Sequence, residues 1–234
     1  MKPVVLLMLP GLDGTGRLFE PLERELPAWI ESRAVSYPPD RKLGYDELEV
    51  LVRAALPVDR PFAVLGESFS GPLAIRVAAA RPPNLVGAVL SCTFVRNPYP
   101  VPGWAQGFVG AVSPNVVPHG VRAALSLGDE ANGPLRVRMD AALASVSSEV
   151  IGHRAASIVG LEDSALLTRV EVPVLYLRAS RDVVVPRAAG DWLCQRLKNC
   201  TIDELDGPHM ILQTNAREAA GVIASWLASL PALA

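Results

Sequence analysis

Six short apolar runs rich in valine and leucine alternate with segments of helical periodicity, and this alternation strongly constrains the fold. Each run is nearly continuous rather than alternately apolar and polar, which is typical of strands buried on both faces of a parallel sheet. The runs predict strands at residues 4–9, 32–37, 62–65, 85–93, 172–179 and 200–205. The sequence therefore predicts an α/β fold with a mostly parallel sheet of about six strands and helices on both faces.

The alternation stops between residues 97 and 165, where no strand-like run occurs and helical patterns follow one another. An insertion of this length with its own secondary structure is typical of a lid. We therefore expect a core domain at residues 1–96 and 166–234 and a helical lid at 97–165. Trp104, Phe108 and Val112 in the lid are candidates to line an apolar acyl or alkyl pocket. The alternative is that these side chains only pack the insertion onto the sheet.

Length and composition favour one domain with small-molecule partners. The 234 residues are 50% hydrophobic and 20% charged, a balance typical of a compact globular chain. A formal net charge of −2 gives no electrostatic reason to expect nucleic acid or an anionic membrane as a partner. No apolar stretch approaches the roughly 20 residues needed to span a bilayer.

The three cysteines, Cys92, Cys194 and Cys200, form an odd set without a Cys-x-x-Cys pair. This pattern predicts neither a disulfide framework nor a zinc site, and it favours a reducing compartment. The apolar run at residues 4–9 is shorter than the apolar part of a signal peptide and ends in Pro-Gly. We therefore expect a cytoplasmic protein that holds no metal.

Ser68 lies on a predicted turn between the third strand and an alanine-rich helix, in the sequence PFAVLGESFSG at residues 61–71. The small residues Gly66, Ser70 and Gly71 surround it, as a sharp turn with a strained apex requires. Such a turn exposes the hydroxyl of its apex residue. Ser68 is therefore a candidate nucleophile.

A serine nucleophile needs a base, and the chain has three histidines. His119 and His153 lie in the insertion, where a surface or structural role is the default. His209 follows the sixth predicted strand, in a Gly-Pro turn ahead of the last helix. This places it at the carboxyl edge of the sheet, where open α/β sheets bind their ligands. We predict that His209 is the base.

The base in turn needs a carboxylate that fixes its tautomer and stabilises its charged form. Asp182 follows the fifth predicted strand and should reach the same edge of the sheet. Asp206 is only three residues before His209, so it is poorly placed to reach the far ring nitrogen across a tight turn. The sequence therefore predicts a site of Ser68, Asp182 and His209.

Residues 66–70 (GESFS) resemble the nucleophile elbow, G-x-S-x-G, of the α/β-hydrolase superfamily, with Ser70 in the last glycine position and a glycine after it. The order serine, aspartate, histidine along the chain is also that of the superfamily. The resemblance covers nearly the whole chain and implies an α/β-hydrolase fold with a lid. It also implies catalysis through an acyl-enzyme without metal or organic cofactor.

The resemblance further implies an oxyanion hole of two backbone N–H groups. One belongs to Phe69, the residue after the elbow serine. The other comes from the loop after the first strand, where hydrolases carry His-Gly and this chain has Pro10-Gly11. The N–H of Leu12 takes that role, and Asp13 is expected to be a turn residue of the same loop.

The chain is most similar to compact bacterial carboxylesterases of the pimeloyl-ACP methyl ester esterase type. Its loop at residues 9–16 (LPGLDGTG) also resembles the esterase/acyltransferase branch that includes phytyl ester synthases. We expect a serine esterase acting on a small ester or acyl substrate, free or linked to a carrier. The alternatives are a thioesterase or acyltransferase with the same residues, and a non-catalytic binding protein of this fold.

The glycines at residues 11–16 also allow a dinucleotide-binding loop, since they follow a strand and precede a helix. Their spacing is G-x-x-G-x-G rather than G-x-G-x-x-G, and Tyr37-Pro38-Pro39 stands where an acidic residue should end the second strand. This alternative also leaves Ser68 and His209 without a role. We therefore do not expect a nucleotide cofactor.

Overall fold

The computed structural model describes residues 3–99 and 125–233. Six parallel strands form one sheet in the order β2-β1-β3-β4-β5-β6. The strands are β1 Val4–Leu9, β2 Ile30–Ala34, β3 Phe62–Glu67, β4 Leu85–Ser91, β5 Val174–Ala179 and β6 Cys200–Leu205. The α/β fold with a parallel six-stranded sheet is confirmed.

Helices cover both faces of the sheet. In the described residues they are α1 Glu20–Glu25, α2 Tyr45–Ala54, α3 Gly71–Ala80, α4 Pro134–Ala144, α5 Ser148–Val159, α6 Arg187–Cys194, α7 Ile211–Thr214 and α8 Ala216–Ser229. One apolar cluster joins the sheet to α2, α3 and α6. A second joins its other face to α1, α7 and α8. Because the central strands are buried on both sides, their apolar runs are nearly unbroken.

The second strand lies earlier in the chain than the sequence predicts. It ends at Ala34, whereas the prediction extends to residue 37. The N–H of Tyr37 donates to the carbonyl of Gly14 at 2.8 Å, in the loop after β1. Residues 35–37 therefore continue toward that loop instead of extending β2.

The last predicted helix, residues 211–230, is divided at Asn215 into α7 and α8. Asn215 has φ −121° and ψ 39°, outside the helical range. Its side-chain amide donates to the carbonyl of Asp206 at 2.5 Å, in the loop that carries His209. The break thus fastens the His209 loop to the start of the last long helix.

The expectation that the chain lacks a disulfide is wrong. Cys194 and Cys200 are joined, with Cα atoms 5.4 Å apart. Cys194 ends α6 and Cys200 begins β6, so the short helix-to-strand connection brings them together. Cys92 is a free, buried thiol. The cysteines therefore no longer support the expectation of a reducing compartment.

Part of the predicted lid is described, and it is helical. Between β4 and β5 the described residues include α4 and α5, in the insertion where the sequence shows helical patterns. Trp104, Phe108, Val112 and His119 lie outside the described residues, so the predicted pocket stays a prediction. Within the described ranges, no helix combines the length and hydropathy that a membrane crossing requires.

Gly66 is required where β3 approaches α3. A Cβ atom at this position would lie 2.6 Å from the Ser70 carbonyl oxygen and 2.8 Å from the Ala74 Cβ. We expect Gly66→Ala to lower the free energy of unfolding by about 2–3 kcal/mol, because these neighbours are backbone and helix atoms that cannot move aside cheaply. Urea unfolding followed by circular dichroism measures the change.

Gly221→Ala is the matched control, because Gly221 lies inside α8 and a Cβ there would meet nothing within 4 Å. Alanine is the better helix former, so this variant should be more stable than the parent by about 0.5–1 kcal/mol. Equal stability of the two variants would contradict the close packing at Gly66.

Candidate active site

Three loops meet at the carboxyl edge of the sheet. The turn at Ser68 follows β3, Asp182 lies in the loop after β5, and His209 lies in the loop after β6. Because β3, β4, β5 and β6 are consecutive neighbours and all parallel, these loops leave the sheet on the same side. The topology therefore brings together residues that are far apart in the sequence.

The three predicted residues form one hydrogen-bonded chain. His209 Nε2 lies 2.9 Å from Ser68 Oγ, and His209 Nδ1 lies 2.8 Å from Asp182 Oδ2. The side chains of His209 and Asp182 are each 8% exposed. Asp206 is turned away, where it binds Ser180 and Arg181 at the surface. Of the two aspartates considered from the sequence, the structure therefore places Asp182, and not Asp206, against His209.

Ser68 occupies a strained turn. Its φ of 48° lies in the left-handed region, which is uncommon for a residue with a side chain. The Thr93 hydroxyl donates to the Ser68 carbonyl and so holds this conformation. A Cβ at Gly71 would collide with Thr93, so glycine is needed there. The turn predicted from the small residues around Ser68 is therefore present, with Thr93 as a support that the sequence did not indicate.

Asp182 is held as a carboxylate. Its Oδ1 accepts the N–H groups of Val184 and Val185 at 2.8 and 2.9 Å, which leaves Oδ2 for His209. Burial by itself would raise the pKa of Asp182. The hydrogen bond from His209, the charge of His209 and the two N–H groups outweigh burial and lower the pKa. An ionised Asp182 can fix the His209 tautomer and stabilise its protonated ring.

The two predicted oxyanion donors lie on adjoining loops. Leu9 of β1 is opposite Gly66 of β3 in the parallel pair. The loops that follow the two strands therefore begin next to each other. Phe69 is fixed by Tyr45, whose hydroxyl donates to the Phe69 carbonyl at 3.0 Å. Their rings stack with centroids 4.8 Å apart. In residues 3–99 and 125–233, the Leu12 N–H has no protein acceptor and is free to bind a ligand.

Comparison with solved structures finds overlap with almost the whole chain. A lipase-esterase related protein from Clostridium acetobutylicum ATCC 824 has 14% identity and a TM-score of 0.79, with 96% of this chain and 94% of that chain covered. MGS-M2, an alpha/beta hydrolase enzyme from a Medee basin deep-sea metagenome library, has 12% identity and a TM-score of 0.74, with 98% and 90% covered. The chain has the α/β-hydrolase fold.

The enol-lactonase from Burkholderia xenovorans LB400 shares this α/β-hydrolase fold at 15% identity and a TM-score of 0.79, with 98% of this chain and 92% of that chain covered. Searches with protein-family models and against curated proteins give no match. Structural likeness therefore establishes the fold, and the evidence for a reaction comes from the arrangement of the site residues.

Ser70, the departure from the elbow motif of the α/β-hydrolase fold, has a structural role. Its hydroxyl donates to the Pro10 carbonyl and accepts from the Tyr37 hydroxyl, 2.7 Å away. Burial raises the pKa of Tyr37, so the phenol stays protonated and can donate. Ser70 thus connects the nucleophile turn to the loop of Leu12, which glycine in this position could not do. In that loop Asp13 accepts from the N–H and hydroxyl of Thr15, as expected of a turn residue.

Glu67, which immediately precedes Ser68, is a buried carboxyl group that the sequence analysis missed. Its Oε1 accepts from Gln213 Nε2 at 2.9 Å, and its side chain also accepts a hydrogen bond from the Gly11 backbone. Burial is the main influence on its pKa, which is raised to about 7. A charged residue at the end of an otherwise apolar strand was the available signal.

We expect the pH dependence of stability to reveal Glu67. Because its pKa is raised on folding, the unfolded chain loses this proton near pH 4.5 and the folded chain near pH 7. The folded state is therefore penalised progressively as pH rises through this window. Glu67→Gln should remove the penalty, so its stability relative to the parent should rise by about 3 kcal/mol between about pH 5 and about pH 8.

Urea unfolding of both proteins at the two pH values measures the difference, and Glu171→Gln, at an exposed position, is the control. A difference between parent and Glu67→Gln that stays constant over the window would contradict the buried, protonated state of Glu67.

Cys92 is a further neighbour of the site. Its sulfur, a carboxylate oxygen of Asp182 and a ring nitrogen of His209 lie within 4.8 Å of one another, which is close enough for a shared metal ion. The thiol contacts the Leu177 carbonyl at 3.9 Å, and burial raises its pKa. His209 and Asp182 already bind each other. The atoms of this group thus have protein partners, and Cys92 also packs in the apolar cluster that joins the sheet to α7 and α8.

Proposed function

We propose that this chain is a serine hydrolase that cleaves carboxylic esters through an acyl-enzyme. The observation that carries the proposal is the hydrogen-bonded chain from Ser68 through His209 to Asp182, with distances of 2.9 and 2.8 Å. Serine becomes an effective nucleophile when an adjacent base accepts its proton. A carboxylate beyond the base stabilises the charge that then forms on it.

In the proposed reaction, Ser68 Oγ attacks the ester carbonyl while His209 Nε2 accepts the serine proton. The carbonyl oxygen becomes an alkoxide, which accepts hydrogen bonds from the N–H groups of Leu12 and Phe69. The C–O bond to the alcohol breaks as His209 returns the proton to the leaving oxygen. Water, deprotonated by His209, then attacks the acyl-serine, and Ser68 leaves with the proton to regenerate the enzyme. Asp182 stays ionised throughout.

We further propose that residues 97–165 act as a lid over this site, with Trp104, Phe108 and Val112 lining the acyl pocket. Contacts of the described part support this. The N–H of Met210 donates to the Ser126 carbonyl at 3.0 Å, next to His209. The lid segment thus touches the histidine loop, and α5 also reaches the loop of Leu12. A lid in this place would exclude bulk water from the site and so strengthen the hydrogen bonds to the alkoxide, while admitting the water that hydrolyses the acyl-enzyme.

The proposal is tested by the turnover of p-nitrophenyl esters of increasing acyl length, each compared with the thioester of the same acid. Faster turnover of the esters is expected. A clear preference for thioesters, or transfer of the acyl group to an added alcohol, would support the thioesterase or acyltransferase alternative. Failure to hydrolyse any ester, together with failure of a fluorophosphonate probe to label Ser68, would support a non-catalytic binding protein.

A further inference from the structure

Arg154 is a buried cation of α5 that lies against the loop of Leu12. Its side chain is among the largest that are fully buried, with 1% exposure. Nη1 donates to the carbonyl oxygens of Leu12 and Asp13 at 3.2 and 2.7 Å. Nη2 donates to the carbonyl oxygen of Pro38 at 3.1 Å. One guanidinium therefore joins the loop after β1 to the loop after β2.

In the described part of the chain, Arg154 is held by backbone carbonyls and forms no ion pair. Burial lowers its pKa, while the nearby charge of Asp13 acts in the opposite direction. A guanidinium nevertheless stays charged at neutral pH. Because burying a charge that no carboxylate contacts directly is unfavourable, an apolar side chain at this position would be more favourable if packing were its only role.

The loop is shaped around this guanidinium. Gly14 has φ +70°, and a Cβ at this position would collide with Nη1 of Arg154. Any other residue here would displace either the loop or the arginine. Gly14, one of the loop glycines that suggested nucleotide binding as an alternative, therefore makes room for an arginine from the insertion.

Leu12 is held at both ends by the insertion. Its side chain packs against an apolar cluster of Val146, Val150 and Ile151. Its carbonyl accepts the hydrogen bond from Arg154. Fixing the side chain and the carbonyl of one residue restricts its φ and ψ, and hence the direction of its N–H. That N–H has no protein acceptor among the described residues.

We propose that Arg154 is a positioning residue, which aims the Leu12 N–H at the oxyanion by binding the carbonyls of Leu12 and Asp13. This inference rests on the proposed function, since it assumes that Leu12 is an oxyanion donor. In this proposal the insertion has a second role besides covering the substrate, which is to orient the oxyanion hole. The geometry of the oxyanion hole then depends partly on the insertion, because Arg154 of α5 fixes the direction of the Leu12 N–H.

The test compares Arg154→Met, which keeps most of the side-chain volume and removes the donors, with Arg136→Met as the control. Arg136 pairs with Asp140 on the surface of α4 and does not contact the loop. A fluorophosphonate titration counts the active sites in each preparation. We expect kcat per titrated site on a p-nitrophenyl ester to fall about 10-fold to 100-fold in Arg154→Met, with little change in KM.

A second readout uses a boronic acid, which forms a tetrahedral adduct on the serine and needs the oxyanion hole. Its inhibition constant should rise by the same factor in Arg154→Met and stay at the parental value in Arg136→Met. Arg154→Lys, which keeps the charge but cannot reach three carbonyls at once, should lie between Arg154→Met and the parent. It also serves as the test protein if Arg154→Met does not fold.

A purely structural role would lower the number of titrated sites and leave kcat per site and boronate affinity unchanged. That result in a folded Arg154 variant overturns the inference. A parent protein that neither hydrolyses esters nor takes the fluorophosphonate label contradicts the proposed function itself. The two failures are therefore distinguishable.

Discussion

We expect Ser68→Ala to lower kcat for a p-nitrophenyl ester by about 10⁴-fold or more. The variant keeps the oxyanion donors and the base, but it has no oxygen that can form the acyl-enzyme. The side chain that remains is smaller, so the strained turn should still form. Initial rates under saturating ester, with fluorophosphonate labelling in parallel, measure the loss.

Ser229→Ala is the control for removal of a serine hydroxyl, because Ser229 lies exposed at the end of α8 and its hydroxyl donates to the Trp226 carbonyl, away from the site. It should keep the parental kcat and the label. Circular dichroism of Ser68→Ala should match that of the parent. If Ser68→Ala retained parental activity, the nucleophile would have to be another group.

Asp182→Asn should also have a large effect, a loss of about 10⁴-fold in kcat. Asp182 accepts a hydrogen bond from the Nδ1–H group of His209, which leaves Nε2 free to accept the proton of Ser68. An asparagine amide would donate to Nδ1 instead, and the ring would then carry its proton on Nε2. His209 would be in the wrong tautomer to act as the base, and its protonated form would lose its counter-charge.

Asp206→Asn is the matched control, since Asp206 is the other aspartate close to His209 in the sequence. It is exposed and binds Ser180 and Arg181 rather than the histidine. We expect it to lower kcat by less than about 10-fold, through loosening of the two loops. Steady-state kinetics of both variants on the same ester decide which aspartate serves His209. A large loss in Asp206→Asn with parental activity in Asp182→Asn would reverse the assignment.

Much of the fold was predictable because each strand has a recognisable local sequence pattern. Unbroken apolar runs predict strands that are buried on both faces, and such strands need helices on each side. The positions of Ser68, Asp182 and His209 then follow, since residues just beyond the carboxyl ends of parallel strands share one edge. That the three residues share one site could therefore be predicted from their order along the chain and from the positions of the strand ends.

The supports of the site were not predictable, because they depend on contacts between distant parts of the chain. Arg154 lies in a predicted lid helix, and no local pattern distinguishes an arginine that turns inward from one on the surface. Ser70 departs from a motif, and the sequence gives no sign that Tyr37 and Pro10 are its partners. Glu67 is buried against Gln213 across 146 positions of the chain.

Local patterns also failed to predict a helix break and a disulfide, both of which depend on contacts in the folded chain. The helix break at Asn215 depends on a hydrogen bond to the Asp206 carbonyl, and no proline or glycine marks it. Cys194 and Cys200 pair because a helix end and a strand start are close in space, which their spacing in the sequence does not reveal. Tertiary contacts thus override the local preferences that sequence patterns report.

Trapping of the acyl-enzyme shows directly whether Ser68 is the nucleophile. The protein is mixed with excess p-nitrophenyl acetate, quenched in acid during the first turnover, digested and analysed by mass spectrometry. We expect a burst of about one p-nitrophenolate per enzyme, with one acetyl group on the peptide that contains Ser68 and no adduct in Ser68→Ala. Turnover without an adduct, or an acetyl group on another residue that persists in Ser68→Ala, would contradict this role of Ser68.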